Sequence, residues 1–191
     1  MKRTPFTAFH VLAPLPFLCA ACGARSDLEL DPEGTGTTSH VDDSTSTPPD
    51  DTTAAAKSAQ TWILHSHDPD LGTDLVGCDE ECDPYVGDTS CQEERPILCL
   101  RKDGSPNPGV MVDFYTGWIG GTIALTPPVV GTLMTSKSAA DGLCQMYAGS
   151  GYEMAEFHHP DGGWNWWAFG NIDGSARFWV QIDDQPANCW D

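Results

Sequence analysis

Six cysteines lie in the C-terminal two-thirds of this 191-residue chain, and they constrain its fold more than any other feature. An even number of cysteines in an exported protein predicts a disulfide framework, which lets a small domain fold around a modest core. Sequence alone leaves many pairings open. The two most C-terminal cysteines are isolated from the others, which favours a bond between them. The predicted pairs are Cys144–Cys189, Cys91–Cys99 and Cys78–Cys82.

A zinc site is the alternative use of these cysteines. Cys78 and Cys82 are separated by three residues, and His65 and His67 lie nearby in the sequence. Thiolate and imidazole are the ligands that zinc prefers. This spacing matches no closed zinc site, however, and export favours oxidised cysteines, so disulfides are the preferred interpretation.

The N-terminus carries a signal for export. The first 22 residues read MKRTPFTAFHVLAPLPFLCAAC, in which Lys2 and Arg3 precede a short apolar run. That run is shorter than the roughly 20 apolar residues that a membrane-spanning helix needs. A basic start, a short apolar run and small residues at its end predict a secretory signal peptide.

The end of this segment, Ala-Ala-Cys, resembles the lipobox of bacterial lipoproteins. The resemblance implies a signal peptide over residues 1–21 and lipidation, with palmitate, of Cys22. Cys19 is the alternative acceptor, and an ordinary signal peptide that releases a soluble secreted protein is the other alternative. Gly23, rather than Asp, follows the lipidated cysteine, which in that family points to the outer membrane of a Gram-negative bacterium. The membrane is then a partner through the anchor.

Residues 22–59 are predicted to form the anchor and a disordered tether. The central part of this stretch is rich in Ser, Thr, Pro and acidic residues and contains no aromatic residue. Such a composition buries too little apolar surface to offset the entropy of an ordered chain. The formal charge of −19, with only nine Lys and Arg residues, excludes nucleic acid as a partner because phosphate binding needs clustered cations.

Residues 60–191 are predicted to form one small α+β domain, braced by disulfides, in which most strands are antiparallel. Alternation and turn residues predict strands over 61–67, 97–100 and 176–183. Gly120-Gly121 is predicted to be a hairpin turn. The segment 136–149 has apolar residues at helical spacing, a Ser at its start and Gly149 at its end, which predicts the one main helix.

Two resemblances bear on this domain. The motifs MAEFHH, ARFWV and QPANCW are similar to those of a functionally unassigned, Trp- and Cys-rich domain of exported bacterial proteins. More distantly, the order of a Cys-bearing helix, a Trp-rich loop and a last strand ending in Cys189 resembles the C-type-lectin-like fold. No Glu-Pro-Asn or Gln-Pro-Asp tripeptide is present, so this resemblance does not imply a calcium-dependent sugar site.

The stretch GGWNWWAFG, residues 162–170, concentrates three tryptophans within four positions. On an extended segment Trp164 and Trp166 would share one face and Trp167 the other. Two interpretations stay open: the rings form the core, or one or two of them form a platform for a glycan or a cell-surface protein. Polar residues nearby would orient the ligand of such a non-enzymatic binding module. The predicted ligand-binding set is Trp164, Trp166, Trp167, His158, Asp161, Asn165 and Asn171.

Catalysis and calcium binding are weaker hypotheses. Glu156 and His158 are two residues apart and could act as acid and base, which makes a hydrolase the less favoured alternative. No Gly-x-Ser-x-Gly or His-Glu-x-x-His motif is present. Asp173, Asp183 and Asp184 supply the oxygen ligands that calcium prefers, together with Asn171. Apart from this calcium hypothesis, none of these interpretations requires a cofactor. A purely structural envelope protein is the remaining alternative.

Overall fold

The computed structural model describes residues 56–159 and 163–191. These residues form a mostly β domain with one α-helix, which confirms the predicted α+β class. Among them, no helix has the length and apolar character needed to cross a bilayer. In chain order the elements are β1 (Ser58–Ala59), β2 (Thr61–Asp68), β3 (Thr73–Gly77), β4 (Thr89–Ser90), β5 (Glu94–Arg95), β6 (Leu98–Lys102), β7 (Thr116–Leu125), β8 (Val129–Val130), a 3-10 turn (Gly131–Leu133), α1 (Lys137–Ala148), β9 (Glu153–Met154), β10 (Asn165–Phe169) and β11 (Phe178–Trp179).

Seven strands make one mixed sheet in the order β11-β2-β3-β10-β7-β6-β9, and β1–β4 and β5–β8 are separate two-stranded pairs. Within the large sheet only β10 and β7 run parallel, so the prediction of mostly antiparallel pairing is confirmed. Isolated bridges join Ile97 to Trp179 and Glu156 to Gln181. Because these bridges connect the two outer regions of the sheet, the sheet curls back on itself.

The predicted hairpin at Gly120-Gly121 is wrong, because β7 runs without a turn from Thr116 to Leu125. The register of β7 against β10 is irregular here, and Gly120 adopts a φ of 67°. A Cβ on Gly121 would lie 2.4 Å from the carbonyl oxygen of Arg101 in β6. The glycines therefore permit an irregular strand and a close backbone approach, and the connection between β6 and β7 is the segment 103–115.

The predicted strands in β2 and β6 are confirmed, whereas the last one is shorter than predicted. The segment 176–183 contributes only Phe178–Trp179 as a strand, followed by a bridge at Gln181. All residues from Phe178 to Ile182 are buried. Both faces of this segment are covered, so its alternation in sequence does not reflect one solvent-exposed face.

The predicted helix is confirmed as α1. Its N-cap is Ser136, whose hydroxyl accepts a hydrogen bond of 3.1 Å from the amide of Ala139. The helix ends at Gly149, which has a φ of 111°. Ala140 and Cys144 are its buried residues, and they lie one helical turn apart on the face that contacts β6 and β9.

All six cysteines of the domain form disulfides, but only the Cys78–Cys82 pairing was predicted correctly. The predicted Cys144–Cys189 and Cys91–Cys99 bonds are wrong. The observed bonds are Cys91–Cys189 and Cys99–Cys144.

The disulfide pairing was mispredicted because it depends on how distant segments pack together. Helix α1 packs on β6 and so brings Cys144 over Cys99. The C-terminal segment returns to the 3-10 turn, where a Cβ on Gly131 would lie 2.7 Å from Sγ of Cys189 and 2.9 Å from the carbonyl oxygen of Cys91. The zinc alternative is also excluded for these cysteines, because disulfide sulfurs are not thiolates.

The core has two parts. The first, called the aromatic core here, centres on Trp62, Phe157, Trp166 and Phe178. The centroid of the Trp62 ring lies 5.6 Å from that of Phe157 and 5.7 Å from that of Trp166. The second, called the cystine core, lies under α1. It contains two of the disulfides and is built from Cys91, Cys99, Cys144, Cys189, Trp179, Met134 and Met154.

Candidate functional site

The three clustered tryptophans have different environments. Strand β10 begins at Asn165, and within it Trp166 is fully buried while Trp167 is half-buried on the opposite face. Trp164 precedes the strand and is 38% exposed. Trp164 packs on Phe157, which belongs to the same core cluster as Trp166, and the prediction that Trp164 and Trp166 share a face stays a prediction.

Trp164 lines a recess of about 180 Å³, called the Trp164 pocket here. The edge of the Trp164 ring contacts Phe157 at a centroid distance of 5.2 Å, and the His158 ring contacts Phe157 at the same distance. Since Phe157 belongs to the aromatic core, the pocket rests on a rigid base. Its lining residues are Pro84, Tyr85, Phe157, His158, Trp164, Ile182, Asp184 and Gln185.

A buried carboxylate orients the histidine of this pocket. Glu156 is only 5% exposed, and its two oxygens accept hydrogen bonds of 2.8 Å from the backbone amide and from Nδ1 of His158. Where the carboxylate is ionised it can only accept, and the shared hydrogen then belongs to Nδ1. The other ring nitrogen, Nε2, lies 3.7 Å from a carboxylate oxygen of Asp184 at the pocket.

A network of acidic side chains positions Tyr85 at the opposite wall. The Asp83 carboxylate accepts hydrogen bonds from the amides of Tyr85 and Val86, at 2.9 and 3.1 Å. Asp88 in turn accepts from the amides of Asp83 and Thr61. The loop that carries Tyr85 is thereby fixed to strand β2.

Arg177 anchors the same loop from the other side. Its guanidinium donates to Oγ1 and the carbonyl oxygen of Thr61, and to the Asp79 carboxylate at 2.8 Å. Asp184 and Gln185 lie on a second loop, which Asn188 closes by hydrogen bonds to the amide and the carbonyl of Ile182. Both loops are therefore braced by buried or half-buried polar contacts.

The predicted ligand-binding residues are only partly brought together. Trp164 and His158 line the pocket, whereas Trp166 is core. Asn165 pairs with Gly77 and Thr116 in the sheet. Trp167 lies on the other face of β10, and Asn171 lines a separate cleft. Asp161 lies outside the described residues, as do Cys22 and the predicted signal peptide and most of the tether.

Sequence reasoning missed Tyr85, Gln185 and the apolar residues of the pocket. The Asp83 that fixes Tyr85 sits two residues before it in a turn, a spacing typical of an Asx turn. That signal predicts a turn, but it does not predict which distant residues the turn contacts.

The acidic residues considered for calcium are not gathered in one place. Asp184 lies at the Trp164 pocket, Asp173 lies at the other cleft, and Asp183 is exposed. Within residues 56–159 and 163–191, no group of three or more His, Cys, Asp or Glu side chains is arranged to hold a metal ion.

Chemically, the Trp164 pocket combines an aromatic face with donors and acceptors around it. The ring and Phe157 offer an apolar surface, and His158, Asp184 and Gln185 offer hydrogen bonds. An oriented imidazole beside a carboxylate can also move a proton to or from a bound water. The described part of its lining contains no Ser, Thr or Cys side chain that could act as a nucleophile.

The chain was compared with protein-family models, with curated protein sequences and with solved structures, and it matches none of them.

Proposed function

We propose that this protein is an exported lipoprotein, held in the outer membrane through Cys22, whose folded domain binds a glycan in the Trp164 pocket. The observation that carries the binding proposal is the placement of one half-exposed tryptophan beside three polar side chains, on a scaffold in which Trp62, Trp166 and Trp179 are fully buried. The three disulfides support export, because such bonds persist in oxidising compartments.

A sugar suits this pocket for three physical reasons. The flat face of an indole packs on the C–H surface of a pyranose ring, while hydroxyls find donors and acceptors at the rim. The recess of about 180 Å³ accepts a unit of roughly monosaccharide size. A neutral polyol is also not repelled by a domain that has 20 acidic and six basic side chains in residues 56–191.

The C-type-lectin-like fold stays part of this proposal. It rests on the order of helix α1, the Trp-rich segment and the C-terminal Cys189, which follows the last strand. The proposal does not include a calcium-dependent sugar site, since the tripeptides that would form one are absent from the sequence.

One observation favours a hydrolase as the second candidate. The hydrogen bond that Nδ1 of His158 donates to Glu156 leaves Nε2 facing the pocket, where it could take a proton from an attacking water. A structural envelope protein without a ligand is the third possibility. It would need neither the exposed indole nor the oriented imidazole.

Glycan binding is tested by comparing two tryptophans of similar sequence context. Trp164→Ala should abolish binding on a glycan array with little change in melting temperature, because the ring is at the surface. Trp167→Ala is the matched control, since Trp167 does not line the pocket, and it should retain binding. If neither wild type nor control binds any glycan, or if both variants bind equally, the proposed function fails.

The hydrolase alternative is tested on whichever glycan binds. Release of reducing ends by wild type, lost in His158→Asn while binding is retained, would establish catalysis. Unchanged glycan after prolonged incubation supports a binding module only.

The anchor is tested by labelling with radioactive palmitate in a bacterial host that processes lipoproteins. Wild type and Cys19→Ser should both incorporate the label, and Cys22→Ser should not. Equal labelling of wild type and Cys22→Ser would refute anchoring through this residue.

A further inference from the structure

A second recess of the described domain is a cleft of about 470 Å³ that shares no lining residue with the Trp164 pocket. It lies between the end of β7 and the segment 171–176. Its walls are formed by Pro96, Ile123, Ala124, Leu125, Thr126, Pro128, Asn171, Ile172, Asp173, Ser175 and Ala176.

The cleft exists because two neighbouring strands end at different places. The ladder between β10 and β7 stops at the pair Phe169–Thr122, whereas β7 continues to Leu125. Beyond that pair β7 keeps only β6 beside it. The chain after β10 therefore leaves the sheet, and the gap exposes the side of β7 that β10 no longer covers.

A buried aspartate holds the departing segment in place. Asp74 is fully buried, and its carboxylate accepts hydrogen bonds from Nδ1 of His67 at 2.6 Å and from the amide of Ile172 at 2.9 Å. A Cβ on Gly170 would lie 2.6 Å from the same carboxylate. The cleft wall is thus fixed from inside the protein, which indicates a preformed recess.

The floor of the cleft is apolar. Ile123 belongs to the aromatic core, and Leu125 and Ile172 pack against it. Pro96, Pro128 and Ala176 extend this surface outward. A recess of this volume with a mostly apolar lining has the usual character of a small-ligand site.

The lining carries one charge, and it is negative. Among the described residues that line the cleft, Asp173 is the only ionisable side chain, and none is Lys, Arg or His. Backbone and side-chain hydrogen bonds from Ser175 lower the pKa of Asp173, so this carboxylate stays ionised at mildly acidic pH. The surrounding domain is also strongly acidic, which disfavours anionic ligands and favours cationic ones.

We infer that this cleft binds an aliphatic ammonium compound, with its hydrocarbon part on the Ile123–Leu125–Ile172 floor and its charged head beside Asp173. This ligand class follows from the two features together, since an apolar floor selects the chain and a single carboxylate selects the head group. The inference does not depend on glycan binding in the Trp164 pocket.

Alkylammonium ions are the direct probes. Butyl-, hexyl- and octylammonium chloride would be titrated into the purified protein at low salt, with octanol and octanoate as matched neutral and anionic probes. Affinity should rise with chain length, by up to about fourfold for each buried methylene. Octanol should bind about two- to fivefold more weakly than octylammonium, as expected for one exposed charge pair, and octanoate more weakly still.

Three variants locate the site. Asp173→Asn should reduce the affinity for octylammonium to that for octanol, whereas Asp183→Asn, an exposed acid outside the cleft, should leave the preference intact. Ala176→Trp, at an exposed lining position, should block every probe. Amide chemical-shift changes caused by octylammonium in wild type should cluster at residues 123–128 and 171–176.

Equal binding of octanoate and octylammonium would overturn the inference. It would also be overturned by chemical-shift changes elsewhere in the domain, or by undiminished binding to a folded Ala176→Trp variant. The chemical-shift map decides the question by itself if that variant does not fold.

Discussion

The aromatic core and the cystine core hold the domain together by different means. In the aromatic core, Trp62 and Trp166 have no exposed surface, and the only disulfide, Cys78–Cys82, joins residues four apart in the sequence. In the cystine core, disulfides join residues 45 and 98 positions apart. The first is therefore stabilised by packing between distant segments, and the second by covalent links between them.

Both recesses lie on the aromatic core. Phe157 and Ile182 support the Trp164 pocket, and Ile123 and Leu125 support the cleft beside the segment 171–176. The part of the domain that offers binding surface is thus the part without long-range covalent links. Large side chains there fill the interior and also shape the surface recesses. The following variants distinguish these two roles.

The largest effect is expected from Trp166→Ala. Removing a fully buried tryptophan leaves a cavity beside Trp62, and such changes cost about 3–5 kcal/mol of unfolding free energy. Trp164→Ala, by contrast, should cost about 1 kcal/mol or less because its ring is already at the surface. Urea unfolding followed by circular dichroism measures both, and equal losses would show that the two rings have one structural role.

Removing a long-range disulfide should have the next largest effect. The double variant Cys99→Ser/Cys144→Ser opens a loop of 45 residues and should lose about 2–4 kcal/mol. Cys78→Ser/Cys82→Ser is the matched control: it opens a loop of only four residues and should lose less. A larger loss in the control would mean that the covalent links are not what distinguishes the cystine core.

Loss of the helix cap should cost less again. Ser136→Ala removes the hydroxyl that accepts from the amide of Ala139, which should lower stability by about 1 kcal/mol. Ser138→Ala, inside the helix, is the control and should have little effect. Thermal unfolding measures the stability of both variants. An equal fall in their melting temperatures would show that the loss does not come from the N-cap hydrogen bond.

The smallest effect on stability is expected from His159, the residue that follows His158 of the Trp164 pocket. Burial lowers the pKa of His159 from the usual value of 6.5, and the charge of Lys102 lowers it further. The unfolded chain therefore binds this proton more readily, so the stability contributed by neutral His159 is fully present above about pH 6.5 and is lost as the pH falls from there through the lowered pKa of the folded state.

The measurement for His159 is the slope of unfolding free energy against pH between about 7.5 and 5.5. His159→Asn should show a shallower loss than wild type, whereas His65→Asn, at an exposed position, should match wild type. Identical slopes in all three proteins would show that His159 does not contribute.

The features predicted correctly from the sequence depend on neighbouring residues. Helix α1 follows from a capping serine, apolar residues at helical spacing and a terminal glycine, all within 14 residues of sequence. The six cysteines were predicted to form disulfides because their number is even and the chain carries an export signal. Both conclusions need no knowledge of which distant segments meet.

The errors concern contacts between distant segments. Gly120-Gly121 has the local signature of a turn, but the backbone of Arg101 approaches so closely that only glycine fits there in a continuing strand. The disulfide pairing depends on where α1 packs, which spacing does not reveal. Likewise, His158 and Trp164 lie near each other in the sequence and could be predicted together. Tyr85 is distant in sequence and lies at the pocket because of the fold of the loop 83–88.

The two long-range disulfides are nested, because Cys99 and Cys144 both lie between Cys91 and Cys189. A single proteolytic cut anywhere between the outer two cysteines therefore leaves both fragments covalently joined. The segment that displays Met111 and Phe114, which are 88% and 86% exposed, lies inside both rings. A protease that cleaves after Phe114 would nick the chain without releasing a piece of it, so the domain stays one covalently joined molecule after such a cut.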